Sequence, residues 1–106
     1  MEIKTIILQI SIKNKKGKNM NKIINGKKYY TATATRIYGQ NDADSKLTRW
    51  TTLYRKKNGK FFIVNFTRWE RERNTLEAVG EKYAREWLAE NADADTYEEV
   101  FGEVEE

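Results

Sequence analysis

The sequence predicts an α+β fold, an antiparallel sheet of about four strands with C-terminal helices packed on one face. Two Asn-Gly pairs, Asn25-Gly26 and Asn58-Gly59, each stand between runs rich in β-branched and aromatic residues. Asn-Gly is the strongest two-residue hairpin signal, because both turn positions need positive φ. After Asn74 the period changes: Gly80, Tyr83, Ala84, Trp87, Leu88 and Asn91 recur at helical spacing. At 106 residues the chain makes one domain with a single modest core.

Taken in order, residues 3–13 alternate, with Ile6, Leu8, Ile10 and Ile12 on one side and Ile7, Gln9, Ser11 and Lys13 on the other. That is a half-buried strand pattern. A polar, basic linker over 14–22 follows. Within it, Lys15-Lys16-Gly17-Lys18-Asn19-Met20 admits a second reading. Codons for Lys-Lys-Gly can spell a purine-rich ribosome-binding sequence just ahead of the Met20 codon. Residues 1–19 would then be an upstream extension and 20–106 the single α+β domain; the clean alternation of 3–13 weighs against this.

From the first Asn-Gly turn a long strand is expected over 28–38, with Tyr30, Ala32 and Ala34 facing one way and Tyr29, Thr31, Thr33 and Thr35 the other. A polar loop over 39–45 leads to a second hairpin, 46–57 with 60–68. A two-residue turn there would set Arg55 opposite Phe62, Leu53 opposite Val64 and Tyr54 opposite Ile63. Large apolar groups then fall on both faces, one to be covered by a helix, the other left partly aromatic and rimmed by Arg and Lys. The first helix begins either with Asn74 and Glu77 as a capping box or at Gly80. Glu81–Arg85 and Lys82–Glu86 are i,i+4 pairs on its outer face. A last short helix is signalled by Asp95 with Glu98, ends at Gly102, and turns Tyr97, Val100 and Phe101 inward.

Charge is sorted along the chain. Residues 1–73 hold 18 Lys/Arg and 5 Asp/Glu, net +13, while 74–106 hold 2 and 11, net −9. One small molecule therefore presents two opposite electrostatic surfaces, which points to binding before chemistry. There is no cysteine and no histidine. Their absence removes disulfides, thiolate- and imidazole-held zinc, haem and Ser-His-Asp catalysis. An enzyme would have to run on Asp, Glu, Lys, Arg or Tyr, and no spacing selects a catalytic set. Asp42 and Asp44, two apart in a loop, read as turn residues rather than a Mg²⁺ site, and no cofactor is expected. No apolar run suffices for a membrane span and no signal peptide is legible, so a bacterial cytoplasmic protein is expected.

The candidate binding surface is the basic, aromatic hairpin. Arg49, Trp50, Tyr54, Arg55, Lys56, Lys57 and Lys60 lie on or beside it; Arg68, Trp69, Arg71 and Arg73 follow it. Cations neutralise phosphates, and exposed aromatics stack bases or anchor a partner. The competing reading is that the aromatics fill the core while the lysines guard strand edges. Alternating signs over 68–73 could equally form local ion pairs. The acidic end, Glu98, Glu99, Glu103, Glu105 and Glu106, could imitate a phosphate array or simply solvate a helix.

From Ile24 onward the chain resembles short proteins carried on plasmids, conjugative elements and prophages of Gram-positive bacteria. The matching stretches are 24–35, from Ile24-Asn25-Gly26 to Thr33-Ala34-Thr35, and 52–59, Thr52-Leu53-Tyr54-Arg55-Lys56-Lys57-Asn58-Gly59. Farther on come Ala84-Arg85-Glu86-Trp87 and Asp93-Ala94-Asp95-Thr96-Tyr97-Glu98-Glu99-Val100-Phe101-Gly102-Glu103. Between Phe61 and Val79 the chain departs from that group, which there has a longer Gly-rich insert. Residues 1–19 have no counterpart in it. In size and genetic setting the group is similar to some type II anti-CRISPR proteins. The resemblance implies a non-enzymatic inhibitor of a host RNA-guided defence nuclease, whose partner is the nuclease or its guide RNA. The alternatives are a stand-alone nucleic-acid-binding accessory protein of a mobile element, and a histidine-free ribonuclease or toxin.

Overall fold

The computed structural model describes residues 19–105, so the strand expected over 3–13, the remainder of the extension before Asn19, and Glu106 lie outside the described residues. The fold is α+β. Strands β1 (Asn21–Ile24) and β2 (Lys27–Tyr30) form a two-stranded hairpin. Strands β3 (Thr35–Gly39), β4 (Arg49–Arg55), β5 (Phe61–Thr67) and β6 (Thr75–Val79) form a four-stranded antiparallel sheet in sequence order. Helices α1 (Glu81–Asn91) and α2 (Ala94–Phe101) close the chain.

The first turn behaves as its residues demand. Asn25 and Gly26 take φ of 50° and 74°, and Ile24 pairs with Lys27 across a two-residue loop. The second does not. Only Gly59 has positive φ there, at 90°. The Lys56 carbonyl accepts the Gly59 N–H at 2.9 Å, and the Lys56 N–H donates to the Lys60 carbonyl at 2.7 Å. The loop is therefore three residues, Lys57 to Gly59, with the glycine absorbing the left-handed position. That one extra residue shifts the expected register: Tyr54 faces Phe62, Leu53 faces Ile63 and Arg55 faces Phe61. A single-residue slip exchanges faces along one strand relative to the other.

The observed register sorts the core into two layers. On one face Leu53, Phe61 and Ile63 pack beneath Ala84 and Leu88 of α1, with Tyr97, Val100 and Phe101 of α2 beside them. On the other, Tyr54, Phe62 and Val64 pack with Leu76 of β6 and Tyr29 of β2. The β1–β2 hairpin thus covers the middle of the face that the sequence left open to solvent.

It can do so because the strand expected over 28–38 is broken. A turn at 31–34, with Thr33 N–H to the Tyr30 carbonyl at 3.3 Å and Ala34 N–H to the Thr31 carbonyl at 3.4 Å, separates β2 from β3. Thr31 then secures Met20: its N–H donates to the Met20 carbonyl, and its hydroxyl accepts the Met20 N–H, each at 2.9 Å. In β3 a register shift between Arg36 and Tyr38 allows both Ile37 and Tyr38 to join the helix-side cluster.

Strand β6 corrects the capping box proposed at Asn74. Thr75 pairs with Asn65 and Leu76 with Val64, while the Asn74 side chain accepts the Thr67 N–H at 2.9 Å. Gly80 is the residue that caps α1. The α2 cap is Asp93, whose Oδ1 accepts the Thr96 N–H at 2.9 Å, two residues before the Asp95 start expected from sequence. Gly102 ends α2 with φ of 95°. Of the two i,i+4 pairs, Glu81–Arg85 forms an ion pair at 2.8 Å.

Where β3 ends, Gln40 replaces the lost ladder partner: its Oε1 accepts the Thr51 N–H at 2.8 Å and its Nε2 donates to Asn91 of α1 at 3.0 Å. Beside it, Gly39 is buried with an ordinary φ of −120°. A Cβ there would lie 2.7 Å from the hydroxyl of Thr52, itself 1% exposed, and 2.6 Å from an Arg36 guanidinium nitrogen. Gly39→Ala should therefore destabilise by about 1–3 kcal/mol through collision, not backbone strain. A urea titration measures this; an unchanged midpoint would mean that the pocket yields freely.

Candidate nucleic-acid interface

Pairing of β4 with β5 makes a ribbon whose two ends both carry cations against aromatic rings. At the turn end, alternation in β2 sends Tyr29 into the core and leaves Lys28 and Tyr30 on the outer side. There they meet the β4–β5 loop. Lys28, Tyr30, Thr33, Lys56, Lys57 and Asn58 line a cleft of about 360 Å³. The Lys28 ammonium stands 4.8 Å from the centre of the Tyr30 ring, and that of Lys56 stands 4.0 Å from Tyr29. The lining holds three lysines and no carboxylate. Lys60 is exposed just outside it, as the ladder partner of Lys56.

At the far end, roughly 20 Å away along the strand, Trp50 stacks on Phe66 with ring centres 5.4 Å apart. The Arg68 guanidinium lies over Trp50 at 5.0 Å and donates to the Ser45 carbonyl at 3.1 Å. Trp69 is 54% exposed, with the Arg49 guanidinium 6.0 Å from its ring. Such cation–aromatic contacts are worth ~0.5–1 kcal/mol at exposed sites, so they orient these groups more than they stabilise the fold.

Several expected site residues fall elsewhere. Tyr54 is 8% exposed and stacked on Phe62 at 5.1 Å, so it belongs to the core. Its burial pushes the phenol pKa up. Arg55 sits between Thr35 and Phe61 in the ladder, one position from Lys56 and therefore on the helix-covered face. Arg49 is engaged: its Nε donates to Glu72 at 2.9 Å, and the same carboxylate accepts the Thr67 hydroxyl at 2.6 Å. The ion pair in the 68–73 run thus reaches across to β4 rather than forming within the run. Arg71 and Arg73 are exposed, and among the described residues neither is in an ion pair.

At the acidic end, Glu99 and Glu103 are exposed, whereas Glu98 accepts the Val104 N–H at 3.0 Å and ties down the chain after α2. Asp42 clamps Arg36 through two hydrogen bonds, at 2.8 and 3.1 Å, and Asp44 accepts the Lys46 N–H at 3.0 Å. Both are spent on their loop.

Lys28, Tyr30 and Thr33 were missed from sequence. The Asn25-Gly26 turn and period-2 alternation did place Lys28 and Tyr30 on one side of β2. What brings that side against the β4–β5 loop is the break at 31–34, which has no Gly or Pro to announce it.

Among the described residues three carboxyls have depressed pKa values: Asp42 through its hydrogen bond from Arg36, Glu72 through that from Arg49, and Asp93 through the backbone N–H of Thr96. A group held below its unfolded value stabilises the fold above that value. The unfolded chain takes up protons first, so stability falls as pH drops below about 4. Thermal melts between about pH 6 and 3 should show this decline, smaller in Asp42→Asn, where the Arg36 pair is already lost. A flat profile in the parent protein would contradict it.

Among the described residues no helix is long and apolar enough to cross a membrane. No protein-family model, curated protein or solved structure matches the chain.

Proposed function

We propose that the protein is a non-enzymatic, stand-alone module that binds single-stranded nucleic acid, serving as an accessory factor of the mobile element that the resemblance implies. One observation carries this reading: both ends of the β4–β5 ribbon present cations laid against aromatic rings, Lys28–Tyr30 and Lys56–Tyr29 at one end, Arg68–Trp50 beside the exposed Trp69 at the other. Phosphates meet the charges and unstacked bases meet exposed ring surface, Trp69 above all. Binding is favoured over chemistry because two of the carboxylates beside the ribbon are occupied. Glu72 is held by Arg49 and Thr67, and Glu77 accepts the Asn65 amide at 3.0 Å.

The second reading is the inhibitor of a host RNA-guided nuclease, acting on the nuclease or its guide RNA. Its specific support is the exposed Glu99, Glu103 and Glu105 at the opposite charge pole, which suit a basic nucleic-acid channel.

Fluorescence anisotropy with labelled single-stranded RNA and DNA, over a range of salt, separates them. The module should bind strands unaided, with affinity falling steeply as salt rises. An inhibitor should bind them weakly alone and strongly only with the loaded nuclease. Lack of binding at low salt, with or without the nuclease, would remove both.

A further inference from the structure

The cleft at the turn end has the donor set of a nucleotide site rather than of a general basic patch. Three lysines line it with no carboxylate beside them, and among the described residues none of the three is in an ion pair. Lysines act as point charges toward phosphate, whereas planar carboxylates are matched better by the arginine fork, which the cleft lacks.

The neutral groups narrow the ligand further. Asn58 Oδ1 already accepts the Lys60 N–H at 3.0 Å, so its amide nitrogen is the atom left to donate toward an anion. The Thr33 hydroxyl donates to the Tyr30 carbonyl at 3.3 Å, so its oxygen remains as an acceptor. Donors for phosphate and one acceptor for a hydroxyl, beside a half-buried tyrosine ring, match a sugar phosphate carrying a base. Inorganic phosphate would make no use of the Tyr30 ring. The volume of about 360 Å³ is at the lower end of small-ligand pockets, the scale of one nucleotide.

We propose that this cleft seats a single phosphorylated nucleotide, its phosphates on Lys28, Lys56 and Lys57 and its base against Tyr30. The inference rests on the nucleic-acid reading for its biological source, the 5′-phosphorylated end of a strand. The same chemistry is offered by a free nucleoside triphosphate.

The test is an amide-resolved NMR titration of the ¹⁵N-labelled full chain with four probes: a 5′-phosphorylated pentanucleotide, the same strand with a 5′-hydroxyl, ATP, and tripolyphosphate. Shifts should concentrate at Lys28, Tyr30, Thr33 and Lys56–Asn58. The phosphorylated strand should bind about tenfold tighter than its hydroxyl twin. Lys57→Ala, at an exposed loop position, should lose most of that preference while leaving the melting temperature unchanged; Tyr30→Leu should erase any advantage of ATP over tripolyphosphate. ATP binding with no preference between the strands assigns the cleft to free nucleotide and supports the site. Equal strand affinities together with no ATP shifts at these residues overturn it, while strand binding itself, if present, leaves the nucleic-acid reading standing. If tripolyphosphate matches ATP in the parent chain, the cleft is a bare anion site and the nucleotide assignment is overturned.

Discussion

Phe62→Ala is expected to remove about 3–5 kcal/mol of stability, a large share of what a domain of this size has. Phe62 is fully buried at the centre of the sheet. One neighbour, Tyr54, stacks on it at 5.1 Å, and another, Tyr29 of the β1–β2 hairpin, meets it edge-on at 5.6 Å. Removing the ring takes away transfer energy and also the platform that holds the hairpin against the sheet. Two partners cannot both collapse into the space, because each is fixed by its own strand. Since small domains are stable by only ~5–15 kcal/mol in all, the variant should sit near its unfolding midpoint at ambient temperature. Urea denaturation followed by tryptophan fluorescence measures the loss, with Ile23→Ala as internal control. Ile23 is 64% exposed on β1, and its truncation should move the midpoint within experimental error. A loss under about 1 kcal/mol for Phe62→Ala would mean that the hairpin does not pack on the sheet as described.

The second large effect is on binding. Lys57→Glu combined with Arg68→Glu reverses one charge at each end of the ribbon, about 20 Å apart, so a strand lying along it meets repulsion at both ends. Affinity for single-stranded RNA or DNA should fall about a hundredfold near 0.1 M salt, and the slope of log affinity against log salt should shrink by about two. Both side chains are exposed, so the fold should hold. Arg55→Glu is the informative comparison. It reverses one charge within the same hairpin, half the change of the double variant, but lies on the opposite face, and it should cost far less than half the binding loss. If Arg55→Glu costs about half as much log affinity as the double variant, the interaction follows net charge and not this surface.

The contrast between Arg55 and Lys57 shows how far a linear reading reaches. Composition named the basic hairpin as the binding element, and cations at its two ends do remain open. Its face assignments depended on the turn at Asn58-Gly59. Asn-Gly serves both a two-residue loop, in which each residue has positive φ, and a three-residue loop, in which glycine alone does. At Asn25-Gly26 the first occurs and at Asn58-Gly59 the second, with the same dipeptide. The choice lies in whether Leu53 meets Ile63 under α1 while Tyr54 meets Phe62 under Tyr29, a matter of which side chains wait above each face. Strand β6 was hidden for a related reason. Thr75–Val79 offers one well-buried residue, Leu76, and becomes a strand because β5 has an unpaired edge to satisfy.

What the chain determined on its own was whatever acts over a few residues: the positive-φ glycine in each hairpin turn, the helical period after Gly80, the glycine stop after α2 and the segregation of charge. Tertiary structure alone decided the register of the second hairpin, the fold-back of β1–β2 and the cleft between β2 and the β4–β5 loop. The physical reason is range. Backbone preference is local, but burial depends on what arrives from far along the chain, and Lys28 and Lys56 share a cleft only because Tyr29 and Phe62 share a core.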